Sequence, residues 1–97
     1  MLPVTLLREA EVELWDTAKY YESKSSGLGV DFLDEMEEAV QFIQEAPLRQ
    51  AKREDYTRRL LTKRFPYQVI YTVHDGKIWV VAFSSQRQKP GYWANRI

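Results

Sequence analysis

Tyr67, Val69, Tyr71 and Val73 alternate with Gln68, Ile70, Thr72 and His74. Then come Asp75-Gly76 and a second apolar run, Ile78 to Phe83. Strict alternation has period two, the spacing of a strand. Asp-Gly between two such runs marks a tight hairpin, because a type I′ turn needs positive φ at both central residues. Pro66, with fixed φ and no N–H, belongs in the turn that leads in. A two-residue loop fixes the register. Val73 then faces Ile78, Tyr71 faces Val80, Val69 faces Ala82 and Tyr67 faces Ser84. That face is almost wholly apolar and is expected to cover a core. The other face carries Gln68, Ile70, Thr72 and His74 beside Lys77, Trp79, Val81 and Phe83. Being mixed, it is either half-wet or covered by another segment or chain.

The first half of the chain has a helical period. Ala10, Leu14, Ala18 and Tyr21 fall on one face of a helix over about Arg8 to Lys24, with Glu9, Glu11 and Glu13 early, where carboxylates suit the helix dipole. The N-cap position holds Leu7, a poor cap. Trp15 and Tyr20 lie off the stripe and read as rim packing or as partner contacts. Ser25 to Gly29 is a turn. A second helix spans about Val30 to Glu45 with Phe32, Met36, Ala39 or Val40, and Ile43 inward, and Pro47 stops it. Two helices joined by a short turn make an antiparallel hairpin. The apolar run Val4 to Leu7, after Pro3, fits a short edge strand. Residues 48–56 are a charged connection, and Gln86 to Ile97 is a polar and aromatic tail. There Pro90-Gly91 ends the strand, and Tyr92, Trp93 and Arg96 suit a last turn against the sheet. The expected class is α+β, an N-terminal strand and an α-helical hairpin on a small antiparallel sheet, in one domain over residues 1–97.

Charge is divided sharply along the chain. Residues 1–46 hold 3 Lys/Arg and 11 Asp/Glu, and residues 47–97 hold 11 and 3, so a net charge of zero joins halves of −8 and +8. Either the halves neutralise each other in the fold, or the second presents a basic surface to an acidic partner or nucleic acid. There is no cysteine, hence neither disulfides nor thiolate metal ligation. Asp34, Glu35, Glu37 and Glu38 lack a partnering His and read as a solvated helix face, not as metal ligands. The single histidine, His74, sits at the hairpin turn with no evident orienting carboxylate, and Ser84 and Ser85 have no His-Asp partners. No phosphate loop follows a strand. No metal or cofactor is implied, and no catalytic residue stands out. No membrane-length apolar run or signal-type start is present, so a cytoplasmic location is expected. What remains is a basic set, Arg58, Arg59, Lys63, Arg64, Arg87, Lys89 and Arg96, able to bind phosphates or an acidic protein segment.

Arg58-Arg59-Leu60-Leu61, Phe65-Pro66-Tyr67, the Tyr67-to-Tyr71 spacing and the tail with Arg87, Pro90, Trp93 and Arg96 together resemble the RelE/ParE superfamily of toxins. They are most similar to its ParE-like, plasmid-stabilisation branch. The resemblance implies the same helical hairpin on a small sheet. It implies the toxin of a type II toxin–antitoxin pair, neutralised by an antitoxin that wraps it with a flexible C-terminal segment. RelE-type members cut messenger RNA on the ribosome, whereas ParE-type members poison DNA gyrase. Ribonuclease members typically carry Arg after the first Tyr of the hairpin strand and a His shortly before the C-terminal Arg. Here those places hold Gln68 and Ser85. Ribosome-acting members are also strongly basic, and this chain is neutral. The resemblance therefore implies a gyrase poison, with a ribosome-dependent endoribonuclease and a non-toxic antitoxin-binding member as alternatives. Arg58, Arg59, Arg64, Trp79, Arg87, Tyr92, Trp93 and Arg96 are the expected target- or antitoxin-binding residues. Arg87 and Trp93 lead, being of types that dominate interface energetics and lying on a tail free to project from the last strand.

Overall fold

A computed structural model describes residues 1–96. The elements run β1 (Val4–Leu6), α1 (Arg8–Lys24), α2 (Leu28–Glu45), β2 (Arg58–Leu61), β3 (Tyr67–His74) and β4 (Lys77–Ser85), with a closing 3₁₀ turn, Ala94–Arg96. The sheet order is β1-β4-β3-β2. The β2–β3 and β3–β4 pairs are antiparallel, and β1 joins β4 in parallel after the α-hairpin carries the chain back.

The β3–β4 turn is built as its residues dictate: Asp75 has φ 52° and Gly76 φ 71°. From there the register holds as far as Tyr71 opposite Val80, and then it changes. Ile70 pairs with Ala82, leaving Val81 as an extra residue on β4. A bulge of this kind reverses the face of every residue beyond it. Val69 therefore faces Phe83 and Tyr67 faces Ser85, not Ala82 and Ser84 as expected from unbroken alternation. The core under the helices contains Val69, Tyr71, Ile78, Val80 and Phe83 with Ala10, Ala18, Phe32, Met36, Ala39 and Ile43, and Tyr67 is packed at its rim. Ala82, expected to face the helices, lies on the other side of the sheet with Ile70, Val81 and Trp93. So the second face is covered by the chain's own tail. That double covering explains why Val80 through Ser84 are all buried.

The α-hairpin has a cap that spacing alone does not reveal. Both carboxylate oxygens of Glu22 are used: Gly27 N–H donates to one at 2.9 Å and Gly29 N–H to the other at 3.0 Å. Gly29 is buried, and a Cβ there would lie 2.5 Å from the Ala18 carbonyl oxygen. The close approach of α1 and α2 thus requires glycine. Gly29→Ala is expected to cost about 1–3 kcal/mol as the helices are forced apart, read as a lower urea midpoint at unchanged slope.

Candidate functional site

Past Leu6, β1 ends and the outer edge of β4 loses its strand neighbour. Its peptide groups still need partners, because an unpaired buried amide is costly. Two side chains supply them. Glu13 of α1 accepts from Phe83 N–H at 3.1 Å, and Arg96 donates to the Val81 carbonyl at 3.0 Å. The same Glu13 carboxylate binds Arg96 through two N–H groups at 2.9 Å and accepts from the Tyr92 hydroxyl. Helix, bulge and tail therefore meet at one carboxylate. Its hydrogen bonds to Arg96 outweigh burial and raise that guanidinium's pKa.

Burial and the bond to Glu13 push the Tyr92 hydroxyl up to about 12. A raised folded-state pKa means the neutral phenol is favoured by folding. Its contribution is complete below the unfolded value near 10 and is lost as pH climbs through about 12. Denaturation of the wild type between these pH values should therefore show a fall in stability that Tyr92→Phe reduces. Equal pH slopes in the two proteins would contradict the bond.

Trp93 completes the clamp. It is 1% exposed, packed on Ile70, Val81 and Ala82. Its indole N–H donates to Asp55 at 3.3 Å and its ring carries the Arg59 guanidinium at 4.9 Å. Burial alone would raise the Asp55 carboxyl, but hydrogen bonds from Thr57 and Trp93 and the Arg59 charge hold it below the usual carboxylate range. Trp93 and Arg96 are thus turned inward: the last turn folds against the sheet as expected, and the tail does not project from the last strand. The reason is the bulge, which exposes an apolar strip that this segment covers together with Leu7.

The other expected site residues are scattered. Arg58 points to the α2–β2 connection, donating to the Gln50 carbonyl at 2.6 Å. Arg64 is exposed and pairs with Asp31 at 2.8 Å, while Glu35 accepts the amides of Arg64 and Phe65. Glu35 therefore has a structural task beyond solvation. Trp79 is half-buried on the tail side, with Lys77 over its ring. The carboxylate of Asp75, the next residue in the chain, lies 3.3 Å from exposed His74, so His74 does have a carboxylate neighbour. Arg87 is exposed, and among the described residues its guanidinium meets no partner. Nearby side chains are Ser85, whose hydroxyl accepts the Arg87 amide, and Gln88. Of the basic half, only Arg64 and Arg96 are ion-paired among the described residues. Neutralisation between the halves is real but local.

A separate feature lies on the helical layer. Leu6, Leu14, Trp15, Val30, Leu33, Met36, Val40 and Phe83 line an open apolar groove, with Asp34 and Glu37 at its rim. Trp15 and Val30 are more than half exposed there. Sequence reasoning placed Trp15 off the buried stripe but did not find the groove, since Val30 and Leu33 join Trp15 only once the two helices are paired. No group of His, Cys, Asp and Glu suited to a metal exists among the described residues, and none of their helices is long and apolar enough to cross a membrane.

Comparison with known families matches residues 4–90 to the ParE toxin of the type II toxin–antitoxin system, parDE. No curated protein matches. A solved structure described as a chromosomal ParDE toxin–antitoxin system from P. aeruginosa is similar in fold, with a TM-score of 0.75 at 19% identity. That match covers 88% of this chain and 96% of the other.

Proposed function

Because the chain belongs to the family of ParE toxins of type II toxin–antitoxin systems, we propose that it arrests growth by poisoning DNA gyrase and is restrained by a cognate antitoxin. The antitoxin's seat is the groove between β1, α1 and α2. The tail-side face, whose apolar residues first suggested a partner, is already covered by Tyr92 and Trp93. The groove instead leaves Trp15, Val30 and Leu33 open, with acidic residues at the rim suited to basic flanks on the partner.

The observation that carries the choice of target is the surroundings of Arg87. Cutting RNA by acid–base chemistry needs proton-transfer groups beside a phosphate-stabilising cation. Around Arg87 the structure offers Ser85 and Gln88, with Tyr67 and Gln68 on the paired strand, and among the described residues no imidazole or carboxylate is bonded to any of them. His74 is at the opposite end of the hairpin, roughly 25 Å along the strands. Arg87 there suits a binding contact better than a catalytic one. DNA gyrase as target follows from the family's ParE-type members, and such a protein acts in the cytoplasm.

Induction of the gene is expected to arrest growth with broken DNA and intact messages, and co-expression of the antitoxin should restore growth. Messages cut at defined sites in cells with unbroken DNA would transfer the protein to the ribosome-acting class. A folded protein without any growth effect would make it an antitoxin-binding member only.

A further inference from the structure

A group of cations without ion pairs among the described residues gathers in one place. From Arg49 to Arg59 the chain carries Arg49, Lys52, Arg53, Arg58 and Arg59 against Glu54 and Asp55. The turn at this place is tightly made. Arg53 N–H donates to the Thr57 carbonyl at 2.8 Å, Tyr56 N–H donates to the Arg53 carbonyl at 2.9 Å, and buried Thr57 gives both its amide and its hydroxyl to one Asp55 oxygen. Tyr56 is held at φ 66°. Lys52, Arg53, Glu54, Asp55 and Arg59 line an open cleft above this turn.

Within the cleft the acid and the base are unequally engaged. The Asp55 carboxylate is taken up by Thr57 and the Trp93 indole. Arg59 lies on the Trp93 ring, its buried Nε–H has no acceptor, and no carboxylate among the described residues is within ion-pairing distance of it. Burial and the neighbouring Arg53 charge depress its pKa against the opposing pull of the Asp55 carboxylate. Arg53 and Arg59 therefore stand near each other with donors unused, and the Asp55 carboxylate beside Arg59 is already engaged by Thr57 and Trp93.

We infer that this cleft binds a phosphoryl group, with Arg59 as the fixed donor and Arg53 and Lys52 closing over the remaining oxygens. A guanidinium seated over an aromatic ring is held in place, and its terminal N–H groups suit paired oxygens. Phosphate, with more oxygens and more charge than a carboxylate, fits three cations better. Tyr56 is exposed at the rim, beneath Lys52, where an aromatic base attached to the phosphate would stack. The phosphoryl group comes either from a nucleic-acid backbone or from a free phosphorylated compound. The inference does not rest on gyrase as target, since neither Arg87 nor the groove takes part in it.

The test is proton–nitrogen correlation NMR on the purified protein, titrated with inorganic phosphate at ionic strength held constant with sodium chloride. A second titration uses a short DNA duplex. The expected result is saturable movement of the Arg59 Nε–H, the Trp93 indole N–H and the amides of residues 52–59. Arg53→Gln, at an exposed position, should weaken phosphate binding about tenfold while leaving the rest of the spectrum in place. Saturation by the duplex at lower concentration would assign a nucleic-acid backbone, and saturation by phosphate alone would assign a free compound. Both results uphold the site. Shifts that never saturate, shifts centred elsewhere, or an unchanged affinity in Arg53→Gln would overturn it.

Discussion

Trp93→Ala is expected to lower the folding free energy by about 3–5 kcal/mol, the range for removing a large buried aromatic. The side chain fills the space over Ile70, Val81 and Ala82. Its loss also takes the hydrogen bond from Asp55 and the ring from beneath Arg59. The Tyr92 ring, edge-on at 5.3 Å, loses its neighbour as well. For a small domain whose total stability is on the order of 5–15 kcal/mol, this is a large share. Urea denaturation measures it directly. A midpoint within error of wild type would mean that the tail does not pack on the sheet, and the double-covered hairpin would have to be abandoned. Any loss of toxicity in Trp93→Ala should follow the folded fraction.

Trp15→Ala should have the opposite profile. The ring is 51% exposed at the mouth of the helical groove, so folding stability should change by no more than about 0.5 kcal/mol. Association with the antitoxin should weaken about 30-fold, the equivalent of about 2 kcal/mol expected of a buried aromatic anchor. Titration calorimetry on the purified pair, with urea denaturation of the free toxin alongside, separates the two quantities. Unchanged affinity would remove the groove as the antitoxin's seat. Unchanged affinity together with weakened binding in a Trp79 variant would return that seat to the tail side of the sheet.

The parts legible in the sequence were those where one local rule decides. Asp75-Gly76 dictated its turn because positive φ at both positions leaves few alternatives. The stripe Ala10, Leu14, Ala18 and Tyr21 placed α1 at its observed bounds, since only a helix brings those residues together. The bulge at Val81 was not legible: Val81, Ala82 and Phe83 are all apolar, and a run without alternation gives no sign of which residue is the extra one. From that single residue follow the inward placement of Phe83, the covering of Ala82 and the recruitment of Trp93. β2 was hidden because Arg58-Arg59-Leu60-Leu61 has no period-two pattern. Its edge pairing with β3 rests on backbone bonds and on partners such as Gln50 for Arg58. The Glu13 clamp was equally hidden, as it joins residues 83 positions apart. Of the expected binding residues, Arg87 is the one that is both exposed and without an ion pair among the described residues. Trp93 and Arg96 are instead taken up in the packing of the tail on the sheet.

The measurement closest to the central claim is DNA gyrase supercoiling with purified toxin, repeated with antitoxin added and with Arg87→Ala, and paired with an assay of ribosome-bound message. The expected result is dose-dependent loss of supercoiling with accumulation of cleaved DNA, reversal by antitoxin, an Arg87→Ala protein as stable as wild type but at least about tenfold weaker, and uncut message. Message cleaved at defined sites, with gyrase unaffected by folded toxin, would contradict it.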